Sequence, residues 1–274
     1  MIEPVKGIEP QRARCITADN PGPLTLNGTN TWVLAELDAT RCIVVDPGPD
    51  DDGHIDTVIE QIDMWRLEVA LVVLTHRHLD HSGGVDALLR YVSAPVRAFD
   101  PLLCRGAVPL VDRERLDVDG LTVDVMATPG HTDDSLCLFV HRDGALVTGD
   151  TILGEGTSLI AWPDGRLEPY LASLQRIREH AAAGLALMFL PGHGPLVPDS
   201  LEAINTLIAH RKKRLEQLES VLNHGASTIP EIVAAVYGVP GPEMYDVVAA
   251  QVQAQLEYLS YRGFLRASAA LTRN

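Results

Sequence analysis

The sequence predicts an α+β fold, a strand-rich first two thirds followed by an all-helical tail, and three observations predict it. Short apolar runs that close in a histidine or an aspartate recur between Thr31 and His193, and such runs read as buried strands with polar groups at their ends. Between them lie longer stretches with apolar residues at helical spacing. From Asp199 the texture changes, and the helical pattern dominates as far as Tyr261. A chain of 274 residues with 46% hydrophobic and 22% charged residues has the length for one large domain, or for one of about 200 residues and a small companion.

Residues 8–16 are expected as an edge strand, and Asn20-Pro21-Gly22-Pro23 as a turn. Residues 31–35 and 42–46 follow as strands, the second closing in Pro47-Gly48. Asp50, Asp51 and Asp52 open a helix whose buried face is Ile55, Val58, Ile59 and Ile62; their charge suits the positive end of the helix dipole. Residues 69–74 are continuously apolar and predict a buried strand, whereas 85–90 are apolar at helical spacing. Residues 96–99 are a short strand. Residues 121–126 alternate as a half-exposed strand should, then run into Thr128-Pro129-Gly130-His131. Residues 136–140 and 145–147 pair around Arg142-Asp143-Gly144 and end in Thr148-Gly149-Asp150. After a helix over 167–182, residues 186–190 form the last strand, leading into Pro191-Gly192-His193-Gly194.

The tail reads as three helices. The first spans 200–223. Thr228-Ile229-Pro230-Glu231 is a capping box with proline in the first turn, opening a second helix that stops near Gly238. The third spans 243–261, ended by Arg262-Gly263 before a stub of strand at Phe264-Leu265. Three helices and a strand stub suggest a winged-helix-like unit over 199–274, beside a catalytic unit over 1–198.

The formal net charge is -15, and it is unevenly placed. Residues 1–198 carry 15 Lys and Arg against 29 Asp and Glu, while 199–274 carry 7 against 8. Neither part has the basic surplus that would draw a nucleic acid by its overall field. No apolar run approaches the ~20 residues of a membrane span, and the amino terminus lacks a basic-then-apolar leader, so a cytoplasmic protein without membrane contact is expected. Cys15, Cys42, Cys104 and Cys137 are scattered and are expected as free thiols.

The densest chemistry lies in Thr75-His76-Arg77-His78-Leu79-Asp80-His81-Ser82-Gly83-Gly84, at the junction of a strand and a helix. On a strand His76 and His78 would point the same way, with Asp80 and His81 in the turn beyond. So many ligand-type groups are seldom buried together without a cation to partner them. Collected with the other strand ends, they give His76, His78 and His131 as one set, Asp80, His81 and His193 as another, and Asp150 to bridge them. Seven ligands serve two ions. Imidazole and carboxylate suit two zinc ions, with manganese or iron also admitted. Two such ions ~3.5 to 4 Å apart leave a bridging position for an activated hydroxide, so the reaction class is metal-assisted hydrolysis. A structural metal in a winged-helix nucleic-acid-binding regulator is the reading from another class.

On the motif His76-x-His78-x-Asp80-His81, with His131, Asp150 and His193 following in order, the chain resembles the metallo-β-lactamase superfamily. That resemblance implies a four-layer αβ/βα sandwich, and implies that Asp80 both ligates an ion and orients the attacking hydroxide. It also implies that Asp46 supports a ligand histidine from behind, although Asp46-Pro47-Gly48 is by itself a turn signal. The departures narrow the subfamily. Antibiotic-hydrolysing members commonly have cysteine where this chain has Asp150, large nucleases need a longer insert than the stretch from Asp150 to His193 allows, and persulfide dioxygenases bind one iron through fewer ligands.

Over nearly its whole length the chain is similar to the lactamase-β-like endoribonuclease branch, on segments 20–23, 27–31, 130–134, 149–157 and 191–195 and on His210-Arg211. By that resemblance the substrate is single-stranded RNA. A glyoxalase-II-like hydrolase of a small-molecule ester or thioester is the alternative. Candidate substrate contacts are Asn30, Thr157 and Ser158 of a glycine-rich loop, and Arg211. The run Arg211-Lys212-Lys213-Arg214 also reads as a solvated helix face. Residues 243–261 offer Gln251, Gln253 and Gln255 but no base before Arg262, so the tail is expected as a cap on the cleft or a homo-oligomer contact rather than a groove reader. His54, His141, His180 and His224 are expected to be structural or exposed. No residue declares itself as the acid for the leaving group.

Overall fold

Two mixed sheets carry the molecule, and strands covered on both sides, such as Asn30–Leu34, Leu136–Val140 and Ala145–Gly149, are buried throughout. The edge strands Ala13–Thr17 and Arg115–Val118 instead leave polar residues exposed. The computed structural model describes residues 9–264. The first sheet holds β1 (Ala13–Thr17), β2 (Asn30–Leu34), β3 (Arg41–Val45), β4 (Glu68–Val73) and β5 (Val96–Arg97) in that order. The second holds β6 (Arg115–Val118), β7 (Leu121–Ala127), β8 (Leu136–Val140), β9 (Ala145–Gly149) and β10 (Met188–Pro191), with β10 at one edge and β6 at the other.

The two-residue period of a strand divides the side chains between two cores. In β3, Ile43 and Val45 face the second sheet, while Cys42 and Val44 face outward onto helices. In β8, Leu136, Leu138 and Val140 point inward, and Cys137 and Phe139 point to the opposite helical layer. The outer layer on the first sheet is α1 (Asp52–Met64) with the short α2 (Leu79–Ser82) and α3 (Val85–Leu88). On the second sheet it is α4 (Leu167–Ala182), α5 (Ser200–Asn223) and part of α7 (Pro242–Tyr261). Helix, sheet, sheet, helix is the four-layer sandwich the sequence implied.

Most local expectations match. Asp51 caps α1 by accepting from the backbone N–H of Gly53 and His54, so the acidic triplet is a helix start. Thr228 and Glu231 make the reciprocal capping box of α6 (Ile229–Tyr237). Three expectations are corrected. β4 stops at Val73, so His76 and His78 lie in the loop beyond it, and Asp80 and His81 lie within α2 rather than in a turn. The helix expected over 85–90 is cut to Val85–Leu88. β6 escaped notice although its turn was legible: Asp119 and Gly120 both take positive φ, 46° and 85°, the signature of a tight two-residue hairpin, and Val118 pairs with Leu121 across it. The strand stub expected at Phe264-Leu265 lies partly outside the described residues, as does residue 8 of the expected edge strand.

The tail is welded to the second sheet's helical layer. Ile204 and Leu207 of α5 and Ala254 of α7 share one apolar cluster with Tyr170, Leu174 and Ile177 of α4. Further along, Leu218 of α5 packs with Ile232, Val233, Val252 and Leu256 in a second cluster formed by the three helices. Gln251 and Gln255 both donate to the Tyr237 hydroxyl, at 3.0 and 2.7 Å, which turns these glutamines toward α6. No described helix is long and apolar enough to cross a membrane.

Ile204 is fully buried, and removing most of its side chain leaves a cavity between α4 and α5. Ile204→Ala is expected to lower stability by about 2 to 5 kcal/mol, read as a fall in the urea midpoint with an unchanged slope.

Candidate metal centre

Every predicted ligand hangs just beyond the carboxyl end of a strand, His76, His78, Asp80 and His81 after β4, His131 after β7, Asp150 after β9 and His193 after β10, and the expected supporting residue Asp46 does so after β3. Such loops on a rigid sheet are where site residues gather. Ligand atoms of His76, His78 and His131 all lie within 4.8 Å of one another, and so do those of Asp80, His81 and His193. Asp150 stands between the groups: its carboxylate is 3.4 Å from His81 Nε2, 3.4 Å from His193 Nε2 and 3.7 Å from His131 Nε2.

The imidazoles are oriented from behind. Asp46, buried and at φ 52°, accepts the Thr75 N–H at 2.7 Å and the Thr75 hydroxyl at 2.6 Å, and its Oδ2 is 2.9 Å from His81 Nδ1. His131 Nδ1 is 2.7 Å from the Leu159 carbonyl, and His193 Nδ1 is 3.1 Å from the Gly28 carbonyl. A carbonyl only accepts, so each of these Nδ1 atoms carries the proton, leaving Nε2 as a lone pair directed at the centre. Thr75 Oγ1 also sits 3.0 Å from His76 Nδ1. His78 turns its Nδ1 inward, toward His76 Nε2 at 3.1 Å and His131 Nε2 at 3.0 Å, while its Nε2 faces Asp164 at 3.4 Å.

Those distances test whether the residues fit a cation. His81 Nε2 and His193 Nε2 face each other at 3.2 Å, and two lone pairs so placed repel unless positive charge lies between or on them. Asp150 Oδ1 is buried with no hydrogen-bond partner among the described residues, a cost that coordination would remove. The donor set fits divalent metal.

In the metal-free protein, protons take part of that role. Burial disfavours charge on His81, yet the fields of Asp150 and Asp46 hold it well above the usual histidine value. His193 is likewise opposed by burial but pushed up to about 9 by Asp150 and Asp80. His76 is driven well down by burial and by neighbouring His81 and His131, and burial also lowers His131. Burial would raise the carboxyls of Asp80 and Asp150, but the histidines pull both below the usual carboxylate range.

The sequence-derived substrate candidates separate. Thr157 lines a cleft of about 620 Å³ over the cluster. Ser158 is buried behind it, its hydroxyl on the Asp150 carbonyl. Asn30 is buried too: its amide donates to the Pro191 and Gly194 carbonyls at 3.0 and 2.9 Å, pinning the His193 loop. Arg211 is 3% exposed and donates to the Ser158 carbonyl, and Arg214 stacks on Tyr237, so only Lys212 and Lys213 of the basic run are exposed. Groups the sequence reading missed are Thr75, Asp164 and the Leu159 and Gly28 carbonyls. Thr75 borders the motif, whereas a backbone carbonyl carries no residue-type signal.

The sequence profile of the Metallo-beta-lactamase superfamily matches residues 24–193, more than half the chain. A beta-lactamase-like protein 2 homolog of Caenorhabditis elegans is 31% identical over 255 residues, covering 86% of this chain and 79% of the relative. An atrochrysone carboxyl ACP thioesterase of Aspergillus novofumigatus is 32% identical over 246 residues, covering 85% and 73%. Among solved structures, a metallo-beta-lactamase family protein of Thermus thermophilus superposes with a TM-score of 0.76 at 22% identity, covering 94% and 95%. Its likeness bears on the fold alone.

The neighbouring carboxylates favour the protonated forms of His81 and His193 in the metal-free protein, so a metal ion taken up there would displace protons. Zinc binding near pH 7.5 is therefore expected to release protons, and apparent affinity to fall as pH drops from 8 to 6. Calorimetric titration in buffers of different ionisation enthalpy reads both effects.

Proposed function

We propose that this chain, a hydrolase that belongs to the metallo-beta-lactamase superfamily, uses two divalent metal ions to cleave small acyl thioesters. His76, His78 and His131 would hold one ion, Asp80, His81 and His193 the other, and Asp150 reaches toward both. Zinc suits this nitrogen and oxygen set, which manganese or iron also satisfy. When bound, the pair supplies an electrophile and a water acidic enough to attack near neutral pH.

The observation that carries the substrate reading is the lining of the cleft. Pro23, Leu24, Leu26, Leu79, Leu153, Leu159 and Ala161 form its apolar walls, and its charged lining groups outside the ligand set are Glu155 and Asp164. Among the described residues no lysine or arginine lines it. Arg77 beside it is taken up by Asp133, by Asp134 at 3.1 Å and by Asp164 at 3.4 Å. Such walls hold an apolar acyl group and repel a polyanion. Single-stranded RNA, the first expectation from sequence, finds no cation among these lining residues to meet its phosphates. The regulator reading is weakened in the same way, since Gln251 and Gln255 are turned onto Tyr237. The thioesterase among the relatives supports the acyl reading.

Asp80 is placed to handle the attacking water. Its Oδ2 is 3.2 Å from His193 Nε2 and 3.6 Å from His81 Nε2, it lines the cleft, and the histidines keep it ionised. As a carboxylate it can therefore accept a hydrogen bond from the water and orient it. The leaving thiolate, with a thiol pKa of about 8.5, departs without a strong acid. That removes the need for an acid the cleft does not offer beyond its carboxylic groups and histidines.

The purified, zinc-loaded protein is expected to hold nearly two ions per chain by elemental analysis, with Asp150→Ala holding fewer. Hydrolysis of an acyl thioester, followed by thiol release, is expected to exceed cleavage of labelled single-stranded RNA. Asp80→Ala is expected to lose roughly 100-fold or more in kcat with an unchanged circular dichroism spectrum. RNA cleaved while thioesters stay intact would overturn the acyl reading.

A further inference from the structure

Arg211 is a buried cation that neither the sheet cores nor the metal ligands account for. It comes from α5, is 3% exposed, donates to the Ser158 carbonyl and lies over the Tyr170 ring at 5.0 Å. Among the described residues its Nε has no hydrogen-bond partner, and no carboxylate forms an ion pair with it. Burying a guanidinium without a counter-charge is costly. A fold that tolerates it in this way is holding something in place.

What it holds is the segment that completes the metal cluster. The Ser158 hydroxyl, on the residue whose carbonyl Arg211 takes, donates to the Asp150 carbonyl and lies 3.3 Å from His131 Nδ1. The next carbonyl, Leu159, accepts His131 Nδ1–H at 2.7 Å. The Tyr170 hydroxyl, beneath the guanidinium, donates to the Thr151 carbonyl at 2.9 Å. Segment 150–159 is thus anchored at Asp150, Thr151, Ser158 and Leu159, and each anchor lies within one residue or one ring of Arg211. The same loop leans on the tail again further on, where the Trp162 N–H donates to Ala250 of α7 at 3.2 Å and Arg166 pairs with Glu257 at 2.9 Å.

We propose that Arg211 is a positioning residue for the metal centre: through Ser158 and Tyr170 it fixes the loop that aims Asp150 and sets the tautomer of His131. The helical tail is then a working part of the centre, acting without touching metal or substrate. The proposal rests on the metal reading of the cluster. Loss of the guanidinium frees the Ser158-Leu159 carbonyls, the Nδ1 proton of His131 loses its fixed acceptor, and Nε2 is no longer held as the lone pair.

Zinc affinity measured by competition with a chromophoric chelator tests it, with wild type, Arg211→Met, Arg211→Lys and the control Arg214→Met, whose guanidinium stacks on Tyr237 in the tail. Arg211→Met is expected to bind zinc about 10- to 100-fold more weakly, Arg211→Lys to fall between it and wild type, and Arg214→Met to match wild type. In the metal-free proteins, nitrogen-15 signals of the His131 ring are expected to show a single Nδ1–H tautomer in wild type and a mixture in Arg211→Met. Thermal melts of the metal-free proteins separate a loss of stability from a loss of affinity. Should Arg211→Met fail to fold, Arg211→Lys decides, and wild-type affinity in that variant overturns the proposal. Wild-type affinity and tautomer in folded Arg211→Met overturn it equally. A wild-type protein that binds no zinc would instead sink the metal reading itself.

Discussion

Imidazole nitrogens that converge at 3.0 to 3.2 Å need positive charge between or on them, a proton or a metal ion, and the rest of the structure holds them there for it. The two sheets bring the strand ends into one place, and buried partners fix every ring but that of His78, whose Nε2 faces the half-exposed Asp164. Asp46 has the widest reach, because one carboxylate ties the loop after β3 to Thr75 and to His81. Its left-handed backbone makes the chain turn and its side chain holds the histidine, so the turn reading and the supporting reading of Asp46 are two sides of one geometry.

Close packing leaves no slack around those groups. A methyl group added to Gly192 would come within 2.6 Å of both Asp150 Oδ1 and His81 Cε1, so the backbone itself forms a wall of the centre. At Gly130, where φ is 144°, the same addition would sit 2.3 Å from the Tyr170 Cα. Only glycine lets the loop carrying His131 pass so near α4. The ligands are thus placed from both sides, by hydrogen bonds at one end of each ring and by backbone contact beside it, as a site that must keep its shape before metal binds requires.

The sequence showed the parts whose signal is local. Continuous apolar runs mark β4 and β8 because both faces of each strand are covered, and the ligand motif stands out because its residues lie within a short span. The α6 capping box reads directly because the side chains of Thr228 and Glu231 each accept from the other's backbone N–H, three residues apart along the chain. The unread parts depend on distance in space. Arg211 belongs by sequence to a basic run with Lys212, Lys213 and Arg214, and nothing in that run tells which side of α5 meets Tyr170. The Leu159 carbonyl that orients His131 is invisible for a different reason, since every residue offers the same group and only the fold chooses which one is used. His78 and Asp164 meet only because two loops face each other across the cleft.

If the cleft takes an acyl thioester as proposed, selection there would fall to shape and to leaving-group chemistry more than to charge attraction. The lining joins leucines to Glu155 and Asp164, and the adjacent Arg77 already shares three carboxylates, so an anionic group approaching the rim meets like charge. Two bound ions would add positive charge at the floor, where Asp80 and Asp150 lie, leaving the rim acidic and the floor electrophilic. A neutral carbonyl on an apolar stem passes such a rim without electrostatic cost and meets its polarising charge only at the floor. A phosphate chain would meet the rim along its whole length, gaining at one point what it loses at several. On the proposed reading, that gradient from acidic rim to metal-ready floor is what would favour a compact acyl compound whose reactive carbon lies at the end of an apolar stem.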